Sequence, residues 1–212
     1  MVNDKLLITN YELQKLHLQF RKPIRQRLKE FSQVQPSEYF YELAYCLLTP
    51  QTKAESAGKA IEVLKEKDFQ HKELQLEKIL HNKDYYIRFH NIKAKHLRTF
   101  KENFPKHFSA LTNGNSPIEL REYLVNNVLG LGYKEASHFL RNIGNRNLAI
   151  IDRHILKGLV RCGVLKSLPK TLSRKTYLEI EKKFLAFSEK INIPMDELDL
   201  LFWSMQTGEI LK

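Results

Sequence analysis

A chain of 212 residues, 42% of them hydrophobic, can bury one sizeable core or two smaller ones sharing an interface. Its 35 lysines and arginines against 24 acidic residues leave a formal charge of +11, which favours a polyanionic partner such as nucleic acid. Two cysteines cannot build a four-cysteine zinc or iron–sulfur centre, no apolar run approaches the roughly 18 residues that cross a bilayer, and the start "MVNDKLLITNYELQ" has no signal-peptide core, so an intracellular protein without a membrane partner is expected.

Apolar residues recur at helical spacing almost throughout. Leu13, Leu16, Phe20, Ile24, Leu28 and Phe31 mark a first helix, which Pro23 is expected to bend or divide. Helices are predicted over 37–48, 52–66, 74–80 and 91–104, with Pro105 stopping the last. Cys46 ("YELAYCLLT") and Cys162 ("LVRCGVL") sit in apolar helical patterns and read as free core thiols in a reducing compartment. In "SPIEL", Ser116 is placed as N-cap, Pro117 at the first helical position and Glu119 at the third, a clear start signal. Further helices are predicted around 134–143, 153–162, 174–191 and 195–206, with Gly144, Gly163 and Gly208 as C-terminal stops. No strand-pairing pattern, internal repeat or low-complexity tract interrupts them, so the fold class is all-α.

Glycine is scarce, yet two glycines, Gly130 and Gly132, flank Leu131 in "VLGLGYKEA". Glycines permit unusual backbone angles and let main-chain N–H groups approach a ligand at a helix start, where the dipole favours an anion. This is the helix-hairpin-helix arrangement, in which the ligand is a DNA phosphate; an ordinary tight turn explains the glycines equally well. Lys134, just past the turn, stands where a cation is mildly unfavourable against the positive end of the dipole. Two uses fit it: a phosphate contact, or a nucleophilic amine activated by nearby positive charge and partial desolvation.

In "LAIIDRHILKGLV", Asp152 follows four apolar residues and begins a helix carrying Ile155, Leu156, Leu159 and Val160. Aspartate is among the best N-caps, and a cap is the first reading. The preceding helix turns Ala136, Phe139, Leu140 and Ile143 inward and reverses at "GNRN", so the next helix start can return toward the hairpin. Cap and catalyst are compatible roles. From 153 to 178 there are seven Lys/Arg and no acidic residue, which leaves Asp152 a lone carboxylate at the lip of a basic surface. The basic stretches 83–107 and 153–175 both read as phosphate-facing. Neither His138, predicted on the polar side of its helix, nor His154 has the partner spacing of a metal site or a triad.

The run "GLGYKEASHFLRNIG…LAIIDRHIL" resembles the core of the helix-hairpin-helix DNA glycosylases that carry a catalytic lysine and aspartate, most closely the archaeal-type 8-oxoguanine DNA glycosylase/AP lyases. "RFHNIKAKHL" (88–97), "PKTLSRKTYLEIE" (169–181) and "ELDLLFWSMQTGEILK" (197–212) extend the likeness to about two thirds of the chain. The resemblance implies a single glycosylase unit with two helical subdomains and a cleft between them. A central subdomain at about 50–115 and the hairpin subdomain at about 116–160 would be flanked by N-terminal (1–49) and C-terminal (161–212) helices.

For chemistry, the resemblance implies that Lys134 attacks C1′ of the damaged nucleotide, displaces the base and holds the sugar as a Schiff base, assisted by Asp152. β-Elimination of the 3′ phosphate then follows. Only a primary amine can form the imine, which explains a lysine in place of arginine. "LLTPQTKA" resembles the segment whose polar residue fills the gap left by the extruded base, here Gln51, although Pro50 departs from the usual pattern. Trp203 lies about 100–140° off the face shared by Leu198, Leu201, Phe202 and Met205 at helical pitch, and stacking on an extruded purine would account for it. Phe89 is a second stacking residue on family grounds. Lys212, ending a "TGEILK" tail, is expected to help recognise 8-oxoguanine through the protonated N7 that guanine lacks.

Gly130, Gly132, Gln51, Arg153 and His154 form the expected DNA-binding set. No cofactor is required, a monovalent cation on the carbonyls of 129–134 being a family expectation, and no side-chain metal site is expected. The expected partner is damaged double-stranded DNA and the expected state a monomer. Two alternatives stay open: a glycosylase for another damaged base, and a non-catalytic helix-hairpin-helix DNA-binding module.

Overall fold

The structure is a computed structural model describing residues 7–208. Among the described residues it is all-α, with one isolated bridge, His81 to Tyr86, and no sheet. The helices are α1 (Asn10–Ser32), α2 (Tyr39–Leu48) preceded by a 3-10 turn at Pro36–Glu38, α3 (Ala54–Glu66), α4 (Leu76–Leu80), α5 (His90–Thr112), α6 (Pro117–Asn127), α7 (Tyr133–Asn142), α8 (Arg153–Arg161), α9 (Arg174–Lys190) and α10 (Met195–Thr207). Two prolines lie inside helices. Pro23 neither divides α1 nor does Pro105 end α5, which continues to Thr112. Both prolines are exposed, beside buried Ile24 in α1 and between buried Phe104 and His107 in α5. On a solvent-facing side the carbonyl that loses its N–H donor can turn to water, so core packing on the opposite face carries the helix through.

The chain divides into two compact units, one formed by Val34–Ile143 and the other by Met1–Gln33 with Gly144–Lys212. In the first, α2 is apolar almost all round and is packed by α3, α5 and α7, as a helix without a polar face must be. Phe40 lies at the centre of its aromatic core, with ring centroids 5.6 Å from Phe69 and 5.0 Å from both Phe100 and Phe104. The start of α6 is the capping box read from "SPIEL": Ser116 Oγ accepts from the Glu119 N–H at 3.3 Å, and the Glu119 carboxylate accepts from the Ser116 N–H at 2.8 Å.

In the second unit α10 packs against α1, α8 and α9. Leu198, Leu201 and Phe202 are buried, and Phe202 stacks on Phe184 of α9 at 6.0 Å. The buried Glu197 carboxylate ties α10 to α1, at 2.5 Å from His17 Nε2 and 2.9 Å from Arg25 Nε. The run Leu148–Ile151 is buried yet belongs to no helix. Side chains of α9 supply its partners. Glu181 accepts from the Ala149 N–H at 2.9 Å, and Tyr177 Oη donates to the Ala149 carbonyl at 2.5 Å and accepts from the Ile151 N–H at 3.2 Å. One residue earlier, the Asp196 carboxylate accepts from the Asn147 N–H at 3.2 Å. These bonds fix the approach to Asp152.

Both cysteines are free. Cys46 is buried in α2, while Cys162, half-buried at the end of α8, has its thiol pushed up to about 11 by burial. Gly144 has φ +93°, and a Cβ there would lie 2.9 Å from the Ser32 Cα. Gly144→Ala combines a left-handed backbone with a clash against main chain and is expected to cost about 1–3 kcal/mol, read as a lowered urea midpoint at unchanged slope; wild-type stability would refute that account.

Candidate active site

The hairpin is built from α6, the turn 128–132 and α7. Leu131 is buried and anchors the turn, its N–H donating to the Val128 carbonyl at 3.1 Å, and Ala136 N–H donates to the Gly132 carbonyl at 2.9 Å as α7 begins. Tyr133 Oη is 2.7 Å from the Glu122 carboxylate, and the Arg121 guanidinium lies 5.4 Å from the Tyr133 ring centroid, so α6 and α7 are locked together. The two glycines differ. Gly130 has φ +86°, and a Cβ there would come within 2.1 Å of the His96 ring of α5, so both conformation and space require glycine. Gly132 has an extended backbone that any residue adopts (φ −91°, ψ −179°). As N-cap it offers no side-chain acceptor, which leaves the start of α7 without a side-chain cap and suited to an incoming anion. Lys134 stands in this first turn, 29% exposed, with Nζ 3.1 Å from Glu135 Oε1. Glu135 in the first turn offsets the unfavourable placing of a cation at a helix start.

In the other unit, Asp152 uses its two carboxylate oxygens for different tasks. Oδ1 caps α8, accepting from the His154 N–H at 2.7 Å and the Ile155 N–H at 2.9 Å. Oδ2 accepts from Trp203 Nε1 at 3.0 Å. The cap holds the carboxylate at the positive end of α8, and the indole fixes its rotation. Trp203 is half-buried, off the Leu198, Leu201 and Phe202 face, with the His154 ring 5.3 Å away. Its off-face position therefore has a reason that helical periodicity does not reveal, a hydrogen bond across 51 residues of sequence.

The family model described as 8-oxoguanine DNA glycosylase (Ogg-HhH) matches residues 24–193. The chain belongs to the 8-oxoguanine DNA glycosylase family. It is 41% identical over 213 residues to the 8-oxoguanine DNA glycosylase/AP lyase of Fusobacterium nucleatum, with 95% of this chain and 96% of that one covered. The crystal structure of the Thermotoga maritima 8-oxoguanine DNA glycosylase superposes with a TM-score of 0.83 at 30% identity, over 96% of this chain and 98% of that one. The Methanocaldococcus jannaschii glycosylase/lyase, crystallised with a 15mer DNA containing 8-oxoguanine, gives 0.82 at 34% identity, over 94% and 99%.

Against this glycosylase frame the remaining residues fall into place unevenly. Gln51 and Phe89 are both exposed and both left-handed, at φ +54° and +59°. Non-glycine residues seldom hold that conformation. Phe89 is 45% exposed just before α5, with the Arg88 guanidinium 4.9 Å from its ring centroid, so it is no core residue. Arg153 is exposed and His154 half-buried at the start of α8. His138 corrects its expected place on a polar face: it is buried, its ring 6.0 Å from that of Tyr45. Lys212 lies outside the described residues.

The stretch 83–107 is not uniformly phosphate-facing either. Lys93 is buried, its Nζ donating to the Leu48 and Pro50 carbonyls and Thr52 Oγ1. A signal existed in the sequence, since Lys93 shares helical spacing with Leu97, Phe100 and Phe104, all buried.

Asp152→Ser keeps a capping oxygen but removes the carboxylate. It is expected to lose base excision while staying within about 1 kcal/mol of wild type in stability, whereas Asp152→Ala should lose about 0.5–2 kcal/mol; excision by the serine variant would reduce Asp152 to a cap. Trp203→Phe removes one hydrogen bond to a charged group, worth about 1.5–3 kcal/mol. Single-turnover excision should fall about tenfold or more at unchanged duplex affinity, and an unchanged rate would show that the indole does not orient Asp152.

Proposed function

We infer that the protein is a bifunctional DNA glycosylase/AP lyase that excises 8-oxoguanine from duplex DNA and then cleaves the strand. The observation that carries this reading is Lys134, a primary amine partly exposed in the first turn of α7 beyond an uncapped Gly-x-Gly turn. Membership of the 8-oxoguanine glycosylase family supports the substrate. The uncapped turn suits a DNA phosphate, a contact that positions the strand without reading its sequence.

The free amine of Lys134 attacks C1′ while the N9–C1′ bond breaks and the base leaves with the bonding pair, taking up a proton. The bound nitrogen gives up a proton, ring oxygen O4′ leaves C1′ and is protonated, and a C1′=N iminium results. Loss of a C2′ proton then expels the 3′ phosphate, the β-elimination that breaks the strand. Asp152 is assigned to orient or deprotonate the amine and to stabilise positive charge on the sugar. In this reading Phe89 and Trp203 contact the extruded base and Lys212 completes its recognition. Gln51 enters the gap, while Gly130, Gly132, Arg153 and His154 face the DNA backbone. The basic composition supports salt-dependent, sequence-independent affinity.

A monomer suffices for this chemistry. A monovalent cation on the carbonyls of 129–134 belongs to the same reading, as does an intracellular location. Among the described residues no cluster of three His, Cys, Asp or Glu side chains is grouped to hold a metal ion, and no helix is long and apolar enough to cross a membrane.

Borohydride trapping on a duplex with one 8-oxoguanine opposite cytosine tests the reading. Wild type should form a covalent adduct that Lys134→Gln does not. An adduct in the mutant would reassign the nucleophile, and tight binding with no adduct in wild type would favour a binding module or a different lesion.

A further inference from the structure

A buried ammonium is costly unless every proton finds an acceptor, and a methionine of similar length would fill the same space without that cost. In α5, Lys93 is 5% exposed, and its three N–H groups are matched by three oxygens: the Leu48 carbonyl at 2.6 Å, the Pro50 carbonyl at 2.7 Å and Thr52 Oγ1 at 2.8 Å. Leu48 is the last residue of α2, where carbonyls lack intrahelical partners, and Pro50 has no N–H with which to brace the turn. The turn's own bonds are Thr52 N–H to the Thr49 carbonyl at 3.0 Å, a long one from Thr52 Oγ1 to the Pro50 carbonyl at 3.5 Å, and two from Thr49 back into α2, its N–H to the Tyr45 carbonyl at 3.1 Å and its Oγ1 to the Cys46 carbonyl at 3.0 Å. Between the residues that Lys93 grips sits Gln51, exposed and left-handed at φ +54°.

We propose that Lys93 is a positioning residue for DNA engagement, its ammonium clamping the 48–52 turn from inside so that Gln51 is held outward in its strained conformation to fill the gap left by the extruded base. The proposal rests on the reading of Gln51 given above. A left-handed glutamine without such a clamp would relax to an ordinary conformation and would have to be re-ordered at each encounter with DNA. Burial pulls the Lys93 ammonium down to about 8, with Glu135 opposing that shift and Lys134 adding to it. At neutral pH the group is still mostly protonated, which matches the three oxygens around it. The clamp also explains why one lysine of a basic stretch is turned inward: it acts on DNA through the turn it holds.

The test is a double-mutant cycle with two substrates. One is a duplex containing 8-oxoguanine opposite cytosine, where a gap must be filled; the other is a single-stranded oligonucleotide with one abasic site, where no partner base is left facing a gap. Lys93→Met should slow single-turnover excision from the duplex about tenfold while borohydride trapping of the single strand proceeds at the wild-type rate. Combined with Gln51→Ala it should be no slower on the duplex than Gln51→Ala alone. Thr52→Val leaves no buried charge unpaired by a carbonyl and serves if Lys93→Met does not fold; it should slow the duplex reaction about threefold and spare the single strand.

Equal loss on both substrates, or Lys93 and Gln51 effects that multiply, would make Lys93 merely structural and overturn the proposal. So would a wild-type rate for Thr52→Val on the duplex. A wild-type rate for Gln51→Ala on the duplex would instead remove the gap-filling reading on which the proposal stands.

Discussion

The amide and carbonyl of Ala149 are buried with no helix or sheet to pair them, and they are satisfied only because Glu181 and Tyr177 of α9 reach in. An all-α protein has no ladder to offer such a segment, so each buried main-chain group outside a helix must find a side chain or be left at full desolvation cost. In this unit the constraint is met along Leu148–Ile151 and delivers Asp152 at a defined point and orientation. In Val34–Ile143 it is met by the Lys93 ammonium on the carbonyls of Leu48, at the end of α2, and Pro50 beyond it. In each case polar side chains of one helix hold the irregular backbone next to Asp152 or Gln51. Rigid helices positioning short functional connections is the economy of the fold.

The ends of helices decide the electrostatics. Asp152 sits where a carboxylate belongs, at the positive end of α8, and one oxygen can act as cap without exhausting the group. The second oxygen is taken by Trp203, which fixes the direction in which the carboxylate points. Lys134 is the opposite case, a cation at the positive end of α7, offset by Glu135 beside it. A placement that costs stability and is retained is the pattern expected where reactivity sets the requirement.

How far the sequence alone carries the reading depends on the range of the interactions. Helices, caps and stops are local, set by spacing within a few residues, which is why "SPIEL" yields its capping box and Gly144 its left-handed stop directly. Pro105 misleads because the rule that proline ends helices is local too, while Phe104 and His107 on the far face are packed by distant residues. Gly130, Lys134 and Asp152 were legible because each strains a local preference or satisfies one conspicuously. Lys93 was masked by the charge of its basic stretch, and only its helical spacing with Leu97, Phe100 and Phe104 marks it as turning inward.

The sequence by itself determined the all-α class, the hairpin with its lysine, the capping aspartate and the basic character, all consequences of composition and of interactions within a turn or two of helix. Only tertiary structure decided that Trp203 bonds to Asp152, that His96 closes over Gly130 and that Lys93 grips the turn beneath Gln51. Those contacts join residues dozens of positions apart, and their geometry follows from how helices pack, which no local pattern encodes.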